Sequence, residues 1–301
     1  MMQVVVVKWG DRYSANHVNN TLLNLQKMAS RNVRFICVTD DPEGLGDFID
    51  VQPFPDWGDW YETMKKGCRL KLSIFVPGVL SPDLPTVFFD LDTMILGDVA
   101  KLVADVEKTG GMYMCRGHYI PWWRAMPLAR LLAKNYYYYG NSPIMAFYPR
   151  EFVGLPDAFK KEFGYVRWRG ITHKWPLDRI CKTDERFISY FARGKTRVFP
   201  RALASKFTTE YMTVGWDYSG FICRLPWVQA RRKSQVALTF SGHALKPSLV
   251  KDMKIGTPVT SRHYHMTWNF PKFSQFIPSV NKFSIYNLSL IELVEPIQSV
   301  I

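Results

Sequence analysis

Residues 3–8 read Gln3-Val4-Val5-Val6-Val7-Lys8, a β-branched run with no polar residue breaking its centre. A strand with one wet face alternates polar and apolar side chains every second position. An unbroken run predicts a strand covered on both faces, and so the first strand of a core sheet flanked by helices. After the turn Trp9-Gly10-Asp11-Arg12, residues 14–28 place Val18, Leu22, Leu25 and Met28 at helical spacing, with Ser14 as a cap. Val33–Thr39 is a second apolar run closed by Asp40-Asp41-Pro42. This β-α-β order predicts an α/β fold: a Rossmann-like, mostly parallel central sheet with crossover helices.

Further along, residues 51–60 read as a loop rich in Pro, Gly and Trp, and residues 61–75 as a helix ended by Pro77. Thr86-Val87-Phe88-Phe89 is a short buried strand that runs directly into Asp90-Leu91-Asp92. Residues 112–115 and 144–147 read as later strands and 183–191 as a short helix. The region after Pro226 combines an apolar run at 236–240 with loops, and reads as a lid or tail over the cleft.

Composition narrows the class. With 301 residues and 47% hydrophobic content, the chain can bury a large core, and disorder is excluded. No segment reaches the roughly 18 to 20 apolar residues of a membrane helix, and the first apolar run is too short for a signal peptide. The expected setting is the cytoplasm, with peripheral contact at an inner membrane or a host cytoplasm as variants. Cys37, Cys68, Cys115, Cys181 and Cys223 are scattered, which predicts buried thiols rather than disulfides or a zinc site. The net charge of +13 favours polyanionic partners. Trp122-Trp123-Arg124, Arg167-Trp168-Arg169 and Arg231-Arg232-Lys233 are local concentrations of that charge, the first two mixed with aromatic surface.

Asp90-Leu91-Asp92 carries the strongest chemical signal. Ligands of open α/β sheets bind beyond the carboxyl ends of the strands, where these carboxylates stand. Two carboxylates two residues apart in a turn can share one hard cation, Mn²⁺ or Mg²⁺. Chance occurrence or helix capping is the bland alternative, and the preceding buried strand argues against it. A haloacid-dehalogenase-like phosphatase using Asp90 as nucleophile is a second reading. Two βα units before the motif, and Met94-Ile95 where Gly-Thr is common, disfavour it. A non-catalytic basic nucleic-acid-binding protein would explain charge and aromatics but leave both carboxylates without a role.

The segment Asp90-Leu91-Asp92-Thr93-Met94-Ile95-Leu96-Gly97-Asp98 resembles the metal-binding stretch of GT-A fold glycosyltransferases, above all family eight. Other segments agree in order across residues 3–250. The stretch from Val7 to Tyr13 is similar to the first strand and loop that receive base and ribose, which implies donor contacts from Lys8, Asp11 and Tyr13. Arg69-Leu70-Lys71 resembles the helix whose lysine, here Lys71, faces the donor. Asn141-Ser142-Pro143 is similar to the strand lining the donor sugar. Thr183-Asp184-Glu185 resembles the family's Asp-Gln segment, implying that Asp184, with Glu185 as alternate, lies near the reacting carbon. Ser241-Gly242-His243-Ala244-Leu245-Lys246-Pro247 is similar to a His-Gly-spacer-Lys-Pro segment, implying Lys246 on the diphosphate and His243 as third metal ligand. Ser241 stands where many relatives have the histidine, so His263 or His265 could substitute.

The resemblance implies a catalytic domain over 1–250, with a nucleotide-binding half (1–100) and an acceptor-side half (101–250), and an extension over 251–301. It implies transfer of a sugar from a nucleotide sugar, a UDP-sugar first, usually with retention of configuration. The acceptor is either a phosphorylated envelope glycan of lipopolysaccharide type or hydroxymethylated bases in DNA, as in phage-type enzymes.

Overall fold

The computed structural model describes residues 1–116, 140–168, 181–212, 225–240, 254–261 and 264–268. Trp122, Trp123, Arg124, Arg169, Cys223, Ser241, His243, Lys246 and His263 lie outside them, as do the side chains of Arg167, Trp168 and His265.

Seven strands form the central sheet in the order β3-β2-β1-β4-β7-β6-β8. They are β1 (Met2–Lys8), β2 (Val33–Thr39), β3 (Ile49–Pro53), β4 (Thr86–Phe89), β6 (Met112–Arg116), β7 (Gly140–Phe147) and β8 (Thr196–Val198). The β3-β2-β1-β4 half is parallel, β7 runs antiparallel to both β4 and β6, and β8 is parallel to β6. A second sheet orders β5 (Thr93–Ile95), β10 (Ala237–Thr239) and β9 (Ala204–Lys206) as β5-β10-β9. Strands β11 (Pro258–Ser261) and β12 (Tyr264–Thr267) form a hairpin.

The unbroken valine run is explained by a core on each face. Val4 and Val6 pack with Val18, Leu22 and Leu25 of the helix Ala15–Met28 and with Leu102, Val103 and Val106 of the helix Ala100–Thr109. Val5 and Val7 point the other way, against Leu70, Leu72, Phe159 and Phe187. Successive side chains of a strand face opposite sides, so burying both requires apolar residues at every position. Ser14 caps its helix as expected, accepting from the His17 amide at 3.2 Å.

Three expectations need correction. The stretch read as loop at 51–60 contains the end of β3, whose Ile-Asp-Val-Gln-Pro sequence is that of a sheet-edge strand, apolar toward one side only. The helix expected over 61–75 is two pieces, Tyr61–Lys65 and the tighter 3₁₀ segment Lys66–Phe75, and the second is kinked near its start, where Gly67 (φ 62°) and Cys68 (φ 61°) take left-handed backbone. Cys68 is therefore exposed, unlike the buried Cys37, Cys115 and Cys181. No helix among the described residues is long and apolar enough to cross a membrane.

Candidate active site

Strand β4 stops at Phe89 because the chain turns. The Asp90 amide donates to the Pro143 carbonyl on β7 at 2.8 Å, and the Thr93 amide returns to the Asp90 carbonyl at 2.9 Å. Four residues thus reverse direction between β4 and β5, and Asp90 and Asp92 are carried at the carboxyl edge of the sheet. The Phe240 amide, following β10, fixes the Asp92 carbonyl at 3.1 Å. The turn is held from both sheets.

Beneath it, Lys71 Nζ is buried and forms ion pairs with Asp90 at 2.8 Å and Asp184 at 3.2 Å. Burial alone would lower the pKa of that ammonium, but the charges of Asp184 and Asp90 override it and hold the group well above its ordinary value. Asp184 opens the helix Asp184–Phe191, yet its side chain turns to accept from Ser142 Oγ at 2.5 Å and to Lys71 instead of capping. Arg69 secures the approach: its Nε donates to the Cys181 carbonyl at 3.2 Å and one Nη to the Lys182 carbonyl at 3.3 Å, just before Asp184. The 3₁₀ segment thus supplies both the pairing lysine and the clamp.

Beside Asp184, the Asn141 side-chain amide donates to Glu185. Asn141 Oδ1 is buried without a hydrogen-bond partner among the described residues. Burial raises the Glu185 carboxyl above its ordinary value, partly offset by Lys206. Lys206, the last residue of β9, is 2% exposed. Burial pushes its ammonium down to about 8, against the pull of Glu185. The register Thr93–Thr239–Lys206 across the second sheet brings it alongside the turn. Sequence reasoning did not single out Lys206; a lysine closing the otherwise small and apolar run from Leu203 to Phe207 was the available signal.

On the β1 side, Tyr13 and His17 line the same edge, their rings 5.0 Å apart and tilted by 33°. Burial raises the Tyr13 hydroxyl far above its ordinary value, and the nearby charge of Asp92 adds to this. His17 Nε2 lies 2.8 Å from the Leu91 carbonyl. A carbonyl can only accept, so the ring is protonated at Nε2. His17 was also missed; it holds the residue between the two aspartates. Lys8 is buried with Nζ on Asp41 Oδ2 at 3.1 Å, and Asp11 is exposed in the turn Gly10–Arg12. The structure thus gathers Asp90, Asp92, Lys71, Asn141, Asp184 and Glu185 around one turn, with Tyr13 at its rim, and commits Lys8 to the loop after β2.

Among the described residues no group of three or more His, Cys, Asp or Glu side chains converges on one point. Asp90 and Asp92 still suit a hard divalent cation, which often takes one or two protein carboxylates and completes its sphere with water and substrate phosphate. Burial raises the Asp90 carboxyl to about 6, Lys71 pulling it down and Asp92 pushing it up. A carboxylate in that balance gains from a second cation.

No protein-family model matches the sequence, and no curated protein sequence matches it. Solved structures do. An active-site mutant of LgtC shares 14% identity over 82% of this chain and 89% of its own, with a TM-score of 0.52. The galactosyltransferase LgtC in complex with donor and acceptor sugar analogs shares 14% over the same proportions, with a TM-score of 0.51. The bifunctional glycosyltransferase WbbM shares 13% over 82% of this chain but 46% of its own, with a TM-score of 0.50. At such identities the likeness establishes the fold, which is GT-A.

Proposed function

We propose that the chain is a metal-dependent glycosyltransferase that moves a sugar from a nucleotide sugar, a UDP-sugar first, to a hydroxyl of a polyanionic acceptor. The observation that carries this reading is the pair Asp90 and Asp92 on a strand-terminal turn, with Asp184 held a few ångströms away through the shared Lys71. A divalent cation on Asp90 and Asp92, with His243 as third ligand, would neutralise the donor diphosphate and the charge that builds on it as the glycosyl bond breaks.

The chain's own residues do the rest. Tyr13 and Asp11 bracket the nucleotide end, and Lys8 stiffens that loop through Asp41. Lys246 meets the diphosphate. Asn141 and Glu185 line the sugar, and Asp184, oriented by Ser142 and Lys71, stabilises positive charge at the reacting carbon. In a retaining, front-face route the leaving phosphate accepts the acceptor's proton, so Asp184 orients rather than abstracts.

Thermal shift and donor hydrolysis with a panel of nucleotide sugars, with and without Mn²⁺, test the reading. Stabilisation by one donor in Mn²⁺, lost in Asp92→Ala, is the expected result. No response to any donor in Mn²⁺ would refute it.

A further inference from the structure

Glu210 lies on the helix Phe207–Tyr211 that begins directly after Lys206, and its side chain is fully buried. Three arginines share this one carboxylate. Arg231 reaches Oε1 through one Nη at 2.7 Å and Nε at 2.9 Å, Arg201 approaches Oε2 through Nε at 3.2 Å, and Arg232 stands 3.6 Å from Oε1. Main-chain oxygens fix them further: Arg232 donates to the Glu210 carbonyl at 2.6 Å, and Arg201 to the Thr209 carbonyl. Arg116, exposed at the end of β6, adds its positive charge to the field felt by Arg201. Arg201 registers the crowding: burial lowers its pKa, and Arg231, Arg116 and Arg232 lower it further against the pull of Glu210.

Among the described residues, the partly exposed guanidiniums of Arg201 and Arg231 already outweigh this single carboxylate. One of the two would neutralise Glu210, so the pair has a positive charge to offer beyond it. Each guanidinium carries five N–H donors in a rigid fork. Arg201 and Arg231 keep 40% and 27% of their side chains exposed, with donors beyond those that Glu210 and the Thr209 carbonyl occupy. Fixed arginine forks with donors to spare match the oxygens of a phosphate group.

The position is equally telling. Arg116 pairs with Gly140 beside the Cys115–Asn141 pair, and Lys206 leads into the Glu210 helix. Arg116 and Lys206 thus set the cluster on the β7-β6 side of β4, away from the β1 side where Tyr13 stands. We infer that this arginine cluster is the docking site for a phosphate group carried by the sugar acceptor. The inference rests on the glycosyltransferase reading for the word acceptor. Cations gathered on one carboxylate suit one compact dianion, whereas a polynucleotide is gripped by cations strung along its backbone.

The test measures binding of glucose 6-phosphate and glucose to wild type, Arg116→Gln, and the double variant Arg201→Gln/Arg231→Gln, with EDTA present so that no metal contributes. Wild type should prefer the phosphorylated sugar at least tenfold. Arg116→Gln should weaken that binding several-fold, and the double variant should abolish the preference. Arg116 is exposed at a strand end, so it carries the test if the double variant does not fold. Equal binding of the two sugars by wild type, or a preference unchanged in Arg116→Gln, would overturn the inference. So would salt-sensitive binding of a duplex oligonucleotide at this surface without binding of glucose 6-phosphate, which would make it a nucleic-acid interface. Donor-induced stabilisation of wild type in Mn²⁺, measured in parallel, reports on glycosyl transfer alone and leaves the phosphate result to stand by itself.

Discussion

Lys71 Nζ and Asp184 Oδ2 form a buried ion pair at 3.2 Å that joins the 3₁₀ segment before β4 to the helix after β7. Because Lys71 also pairs with Asp90, one ammonium sets the spacing between the Asp90–Asp92 turn and the Asp184 carboxylate. Truncating one member of such a group leaves buried charge uncompensated, at a cost of about 3–5 kcal/mol. Lys71→Met is expected to lower stability by that order in urea denaturation. It should also push the Asp90 carboxyl further up, so that Mn²⁺ recovers part of the lost stability. Equal stability of variant and wild type would contradict the structural role assigned to Lys71.

His17 is expected to act on the Asp90–Asp92 turn through the Leu91 carbonyl. Replacing it by Phe leaves the Leu91 carbonyl unsatisfied in a buried site, at a cost of about 1–3 kcal/mol, whereas Gln can restore the donor. Burial lowers the His17 pKa below its ordinary value. The unfolded chain therefore takes up a proton near pH 6.5 that the folded chain refuses, and stability falls as pH drops through that region. Comparing urea midpoints at pH 7.5 and 5.5 should show a smaller fall for His17→Gln than for wild type. Identical pH slopes would contradict this assignment.

The sheet was legible in the sequence because Val4 to Val7 and Val87 to Phe89 are buried on both faces, where apolar continuity has no competing explanation. Strand β3 was not, because an edge strand keeps polar Asp50 and Gln52 on its open side and resembles a loop. The kink at Gly67 was hidden by apolar spacing that continues on either side of it. At the site, Asp90, Lys71 and Asp184 stood out through position and resemblance. Ser142, His17 and Lys206 acquire their roles from partners far along the chain, and local pattern carries no record of such partners.

The kink itself offers a paired test. A Cβ on Gly67 would lie 2.5 Å from the Lys182 carbonyl oxygen, on backbone already at positive φ. Gly67→Ala is expected to cost roughly 2 kcal/mol or more and to disturb the Arg69 clamp on Cys181 and Lys182. Its neighbour Cys68 has φ 61° with a side chain in place, so Cys68→Gly should relieve strain and raise stability by about 0.5–1 kcal/mol. Opposite signs at adjacent positions, read by thermal or urea denaturation, separate backbone strain from lost packing. A destabilised Cys68→Gly would show that the left-handed turn is not strained.

Lys206 gives the clearest pH signature. Burial holds its ammonium near 8, below the ordinary lysine value, against the pull of Glu185. Between about pH 8 and 10.5 the unfolded chain binds a proton that the folded chain has released, so stability should rise with pH across that window. Below pH 8 both states are protonated and the full cost of burying the charge is present. Lys206→Met should therefore be more stable than wild type at pH 7, by about 1–3 kcal/mol, with the difference closing toward pH 10. A ligand anion that meets the Lys206 cation beside Glu185 would offset that cost. The same variant should accordingly lose donor- or acceptor-induced stabilisation while gaining intrinsic stability. A variant less stable than wild type at pH 7, or one that keeps its full ligand response, would assign Lys206 to packing instead.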